Sequence, residues 1–287
     1  MNIILKFIVI FVFLGTSSIL SQPAKIAETR LPTGEWIEIF NNGTWKKKNT
    51  QRSSIVMGSI PAGTFTMGSP ATEEGRAKDE IQHQVTLSGF KMSRNEITVG
   101  QYREYCTATG KSMPTEPVWG WDDELPMCNV TWVEAQEYAK WQGGRLPTEA
   151  EWEYACRAGT TSRYWFGDKI PELANSYLLC NMEYPRSDLQ IGFLKVVLYP
   201  GRSVPLGIND WNLINMPGSM NEWCNDWYGD YIISVKNNPQ GAEKGDRKVV
   251  RVGSWFDFER FCRSAARESF HPETRSEYIG FRIVKSL

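Results

Sequence analysis

Histidine is the usual acid–base and metal-binding side chain. This chain has 2, His83 in a stretch that alternates like a strand and His271 in a polar loop before Pro272. A three-histidine metal site is therefore out of reach within one chain. A Ser–His–Asp arrangement would need one of these two, and neither stands near a G-x-S-x-G turn, so His83 reads as a hydrogen-bonded structural residue. The densest set of hard oxygen donors is Asn215-Met216-Pro217-Gly218-Ser219-Met220-Asn221-Glu222. Side-chain oxygens at Asn215 and Glu222, with main-chain carbonyls between them, could wrap a Ca²⁺, which takes oxygen ligands in flexible geometry. A turn with a solvated carboxylate is the competing reading. Asn175 with Ser176 and Asp188 makes a sparser second candidate. The tail, from Arg251 to Trp255 through Cys262 to Arg267 to Gly280-Phe281-Arg282, mixes aromatic and guanidinium side chains. That mixture suits a peptide or carbohydrate held by stacking and hydrogen bonding, and buried structural arginines would look the same.

The elements that must position these residues begin with three helices opened by one device. Thr98 with Gln101, Thr131 with Glu134 and Thr148 with Glu151 are spaced as capping boxes. The first two helices stop at Gly110 and Gly143, which suit a left-handed end. Capping accounts for Glu134 and Glu151 better than a role as paired acid–base carboxylates does. In Arg145-Leu146-Pro147-Thr148-Glu149-Ala150-Glu151-Trp152-Glu153-Tyr154-Ala155-Cys156, the proline ends the preceding segment, and Trp152 and Ala155 share a helical face. Upstream, Ile60 to Gly68 reads as a glycine-punctuated strand pair and Gln82 to Leu87 as a further strand. After Arg157 the periodicity fades into short apolar runs with frequent Gly, Pro, Asn, Trp and Tyr. Residues 22–54 form an appendage, a β-hairpin plus a polar linker. In it Trp36, Glu38 and Phe40 lie opposite Ile37 and Ile39, and Asn42-Gly43 signals a type I′ turn.

A 13% aromatic share with 12 Trp can fill a rigid core without long regular elements, and 287 residues allow one large domain or two ordinary ones. The net charge of −1 lacks the basic excess of a nucleic-acid surface. Residues 1–21 read as a secretory signal: Lys6, the apolar run Phe7 to Leu14, then small residues. That run is too short for a stable bilayer span. The mature chain is expected to be exported, periplasmic or extracellular, with no transmembrane anchor. All 6 cysteines, Cys106, Cys128, Cys156, Cys180, Cys224 and Cys262, lie beyond the signal. An even number in an exported chain favours disulfides, without fixing their pairing. The absence of C-x-x-C argues against zinc.

Taken in order, Phe65-Thr66-Met67-Gly68, Glu96-Ile97-Thr98 to Tyr102, Arg145 to Cys156, Glu222-Trp223-Cys224-Asn225-Asp226-Trp227-Tyr228, Gly253-Ser254-Trp255 and Gly280-Phe281-Arg282 resemble the formylglycine-generating enzyme, or sulfatase-modifying factor, domain. The resemblance runs from about Ile60 to Ile283. It implies a single α+β domain over residues 55–287, low in regular structure, related in topology to C-type lectins and stabilised by Ca²⁺. By that resemblance Asn215, Gly218, Met220 and Glu222 hold one calcium, the middle two through carbonyls, while Asn175, Ser176 and Asp188 serve another. It also implies a Cys156–Cys262 disulfide, worth roughly 4 to 5 kcal/mol through the unfolded chain.

Family members that oxidise a substrate cysteine use Cu(I) held by two cysteines after the Gly-Ser-aromatic motif, and soft Cu(I) needs thiolates. Here the first of those positions is Asp257, and Asn221 stands where a tryptophan is usual; Ser254 and Arg267 remain. Iron-dependent relatives need three histidines. The expectation is an exported, calcium-stabilised binding or structural module without bound copper. Its groove, lined by Trp223, Ser254, Trp255, Asp257 and Arg267, would hold a peptide, protein or glycan segment. The alternative is a divergent oxidoreductase acting on a protein cysteine.

Overall fold

The computed structural model describes residues 24–30, 36–47, 54–169, 207–234, 237–251 and 253–287. The signal segment, Asn175, Ser176, Cys180 and Asp188 lie outside the described residues. The chain divides into two compact units, Met1–Arg52 and Ser53–Leu287.

In the first unit, strands β1 (Lys25–Arg30), β2 (Trp36–Phe40) and β3 (Trp45–Lys47) form an antiparallel sheet in that order. The expected hairpin is thus the β2–β3 half of a three-stranded sheet. Its turn differs from the expected I′ type. A I′ turn needs positive φ at both central residues, but only Gly43 has it, at 78°. The Phe40 carbonyl accepts from Gly43 N, and Phe40 N donates to Thr44 O, the longer loop with one left-handed glycine. Asn42 takes a side-chain role instead, its Oδ1 accepting from the amide and hydroxyl of Thr44.

The second unit carries strands β4 (Met57–Ile60), β5 (Gly63–Met67), β6 (His83–Leu87) and β7 (Phe90–Ser93). Helices α1 (Val99–Thr109), α2 (Trp132–Trp141) and α3 (Glu149–Arg157) follow. Then come β8 (Asn221–Trp227), β9 (Lys248–Arg251), β10 (Arg267–Phe270), β11 (Ile279–Gly280) and β12 (Val284–Ser286). The expected α+β class therefore holds, with short elements throughout. The sheets are β10-β9-β8-β11, β12-β7-β4 and β5-β6. The stretch from Ile60 to Gly68 is consequently not a pair of partners, because β4 joins β7 while β5 joins β6.

All three capping boxes form in both directions. Each threonine hydroxyl accepts from its N3 amide and each N3 side chain accepts from the cap amide. Gly110 ends α1 at φ 74°, and Gly143 follows the last turn of α2 at φ 73°. Helix α3 departs from the one-sided pattern: every one of its residues is buried, including Glu149, Glu151, Glu153 and Arg157. Its Trp152, Ala155 and Cys156 pack with Met92, Leu213 and Cys224 in one core cluster. Tyr102, Tyr138, Trp223 and Phe281 fill a second. Buried carboxylates on all sides of a helix are tolerable only if each is partnered.

Candidate functional site

The buried face of α3 holds a lattice of alternating charge. Arg251 reaches Glu149 through Nη1 and Glu153 through Nη2, both at 3.0 Å. Arg267 grips Glu149 with two bonds, Nε–Oε1 at 2.8 Å and Nη2–Oε2 at 2.7 Å. Arg157 lies 2.9 Å from Glu153, whose Oε1 also accepts from Gly68 N at 2.9 Å. Burial pushes the Glu153 carboxyl up, but Arg157 and Arg251 override it and hold it below the ordinary value. Arg267 further stacks over Tyr231, 4.1 Å from the ring centroid.

At the start of the same helix, Asp226 Oδ2 accepts from Glu149 N at 2.9 Å. Burial first, then the Glu149 charge, pushes its carboxyl from 3.8 up to about 8. A folded-state value above the unfolded one means the folded chain keeps a proton that the unfolded chain releases. This contribution is fully present below 3.8 and is lost as pH rises toward 8. Asp226→Asn should therefore flatten the decline in stability between pH 5 and pH 8, read from urea midpoints at the two values.

The residues expected to line a groove separate into two groups. Trp223 is fully buried, donates Nε1 to the Val130 carbonyl at 3.1 Å and packs edge-on to Phe270. Arg267 belongs to the α3 lattice. These two are core residues, so the structural reading of the arginines is the one that applies to them. Ser254 is also buried, and its amide and hydroxyl both donate to Asp257 Oδ2, at 2.9 and 2.6 Å. Asp257 thus clasps its own turn. Gly253 N donates to Asn221 Oδ1 at 2.8 Å, so Asn221 ties this turn to β8. Gly253 has φ 120°, and a Cβ there would lie 2.8 Å from Gly218 N, which requires glycine.

Only the outer side of this turn meets solvent. Trp255 is half-buried against Trp119 at 5.6 Å, and Phe256 stacks on Tyr278 at 5.4 Å. Phe256, Phe258 and Phe261 are 58%, 37% and 43% exposed, with the Arg260 guanidinium over the last two rings. The sequence reading passed over these three phenylalanines; their spacing between polar residues was the available signal.

The expected Cys156–Cys262 bridge is not formed, because Cys156 is a free buried thiol. Cys156 packs in the α3 core, whereas Cys262 packs with Tyr164 and Phe166 and directs its thiol at the Phe258 carbonyl, 3.9 Å away. The side chain beside the Cys156 thiol is Ser264. Its hydroxyl favours the thiolate without reaching hydrogen-bond geometry, while burial pushes the thiol up to about 12. His83 takes the structural role expected of it, bonded through Nδ1 to the Ile81 carbonyl at 2.9 Å and packed against Tyr231.

In the proposed calcium segment, Asn215, Gly218 and Ser219 all adopt positive φ, at 56°, 101° and 65°. Glu222 is buried: Oε2 accepts from Arg282 Nε and Trp152 Nε1, both at 2.7 Å, and Oε1 from Arg282 Nη2 at 2.8 Å. Around this carboxylate, the Ser219 hydroxyl and both oxygens of Glu96 are buried without a hydrogen-bond partner. An oxygen-only set with orphaned acceptors fits a hard cation. It does not fit Cu(I), for which the turn after Gly253-Ser254-Trp255 offers a carboxylate at Asp257 and one cysteine. No helix among the described residues is long and apolar enough to cross a membrane.

Residues 42–287 match the family model of the sulfatase-modifying factor enzyme 1-like domain. A formylglycine-generating enzyme of Streptomyces coelicolor is 37% identical over 281 residues, spanning 78% of this chain and 87% of its own length. The Mus musculus formylglycine-generating enzyme is 27% identical, over 78% and 73% respectively. A serine/threonine-protein kinase pkn1 of Chlamydia caviae is 30% identical, but the chain spans only 37% of it. Among solved structures, PvdO from Pseudomonas aeruginosa aligns with TM-score 0.69 and 28% identity, covering 80% of this chain and 94% of PvdO. Treponema denticola variable protein 1, at TM-score 0.66 and 20% identity over 84% of this chain and 99% of its own, shares the fold.

Proposed function

Because the chain belongs to the sulfatase-modifying factor enzyme 1-like family, we propose that it is an exported, calcium-stabilised member that binds a peptide or glycan segment without oxidising a cysteine through copper. The observation that carries this is Asp257. It stands where the resemblance places the first copper cysteine, and its carboxylate is committed to Ser254 at 2.6 Å. With one cysteine in the following turn, the donor set is too hard for Cu(I).

What the turn offers in its place is an apolar surface. Phe256, Phe258 and Phe261, with Arg260, Trp255 and Tyr278 beside them, present aromatic faces and a guanidinium. Such faces stack on sugar rings or on aromatic peptide side chains. Calcium would be held by Asn215, the Gly218 and Met220 carbonyls and Glu222. Its charge would offset buried carboxylates and so favour the folded state. Export rests on the sequence of residues 1–21, and mass spectrometry of the secreted chain would locate the cleavage.

A second reading, a divergent oxidoreductase acting on a protein cysteine, draws on the 37% identity to a formylglycine-generating enzyme. One assay separates the two. The purified protein is loaded with Cu(I), mixed with a cysteine-containing sulfatase-type peptide and exposed to O₂. We expect no aldehyde above the copper-only control; aldehyde formed at one equivalent of tightly held copper would establish the oxidoreductase. Binding is read on peptide and glycan arrays, with signal expected to fall at least roughly tenfold for the double variant Phe256→Ala, Phe258→Ala, since exposed aromatic anchors dominate such contacts.

A further inference from the structure

We propose that Glu96, between β7 and the Thr98 cap of α1, is a ligand of the divalent cation held by the Asn215–Glu222 segment, although it lies far from that segment in sequence. The inference rests on the calcium reading given above and adds a charged oxygen donor to it.

The argument is one of unmet charge. Glu96 is 2% exposed, and neither of its carboxylate oxygens has a hydrogen-bond partner. The nearest positive group is Arg282, and its donors are all committed elsewhere. Nε and one Nη2 hydrogen go to Glu222, the other Nη2 hydrogen to the Ile214 carbonyl, and Nη1 to the Ser93 and Arg94 carbonyls. Every N–H of the guanidinium is therefore used. Two buried carboxylates, Glu96 and Glu222, face one cation whose bonds to carboxylate reach only Glu222. The Ser219 hydroxyl, also buried and without a hydrogen-bond partner, stands beside Glu96.

A buried ion with no partner is costly, so such groups are found protonated, paired or on a metal. Carboxylate, hydroxyl and main-chain carbonyl oxygens are the ligands of a hard divalent ion, Ca²⁺ foremost. A cavity of about 350 Å³ opens beside Glu96, with Thr98, Gln101, Asp123 and Glu124 on its walls.

The test is calorimetric titration of Ca²⁺ into chelator-stripped full-length protein, with thermal melts with and without Ca²⁺, for the wild type and Glu96→Gln. Glutamine keeps the shape and removes the charge. Its stripped form is expected to melt above the stripped wild type, which also checks that it folds. We expect wild-type binding with a raised Tm, and a Kd for Glu96→Gln weaker by about tenfold or more. Equal Ca²⁺ affinity in the two proteins would overturn the role of Glu96 and leave the calcium site standing. A wild type that neither binds Ca²⁺ nor melts differently with it would overturn both.

Discussion

Arg251→Met is expected to cost about 3–5 kcal/mol of folding stability, the range for removing one partner of a buried ion pair. The arginine is fully buried and bridges Glu149 and Glu153, two carboxylates of one helix. Methionine fills the space but leaves Glu153 with Arg157 alone and Glu149 with Arg267 alone. A loss of this size is a large share of the ~5–15 kcal/mol that holds a typical domain together. Urea titration with far-ultraviolet dichroism would measure it. Adding Glu153→Gln to Arg251→Met should recover part of the loss, because the uncompensated charge goes with it. A strictly additive double variant would mean that the two side chains act independently.

Ser264→Cys is expected to produce the disulfide that the native chain lacks, by pairing with Cys156. The Ser264 side chain is the one beside the Cys156 thiol, and both residues are buried. Closing a loop of roughly 100 residues would stabilise the chain by about 4–5 kcal/mol in the entropic model, provided the bond forms without strain. Thiol titration under denaturing conditions should find one free thiol fewer in the oxidised variant than in the wild type, and one more after reduction. An unreduced variant with one thiol more than the wild type would show that positions 156 and 264 do not meet. The same comparison identifies the partner of Cys156 by position, since Cys262 sits two residues away on a different packing cluster.

What the sequence disclosed follows the range of the interactions involved. The three capping boxes were legible because each is complete within four residues, and the same holds for the glycine stops of α1 and α2. The clasp between Ser254 and Asp257 is equally local, but its aspartate was read against a metal rather than against its own turn. Interactions that join distant segments were not legible. Nothing near Arg267 announces Glu149, 118 residues earlier, and nothing near Trp223 announces Val130. Surface and core arginines therefore look alike in sequence, and the expected groove takes in Trp223 and Arg267, which are buried. The bridge expected for Cys156 does not form: Cys262 packs in a different cluster, and Ser264, two positions on, is the side chain beside Cys156. In the first unit, Asn-Gly was a sound sign of a turn but not of its type, because the side chain of Asn42 bonded Thr44 and its backbone kept negative φ.

Strand β12 pairs with β7, which pairs with β4, so residues 284–286 complete a sheet begun at residues 57–60. Arg145 exchanges backbone bonds with Val284 in both directions, and Arg282 joins the carbonyls of Ser93 and Ile214 to Glu222. During synthesis, then, the earlier strands and all three helices emerge before the segment that locks them together. Until that segment arrives, the edge of β7 and the Glu222 carboxylate lack their closing partners. Folding of this unit therefore waits for residues 282–286 and carries a high loop-closure cost. A nascent chain paused short of residue 282 exposes strand edges and apolar surface, the condition under which chaperone engagement or aggregation competes with folding.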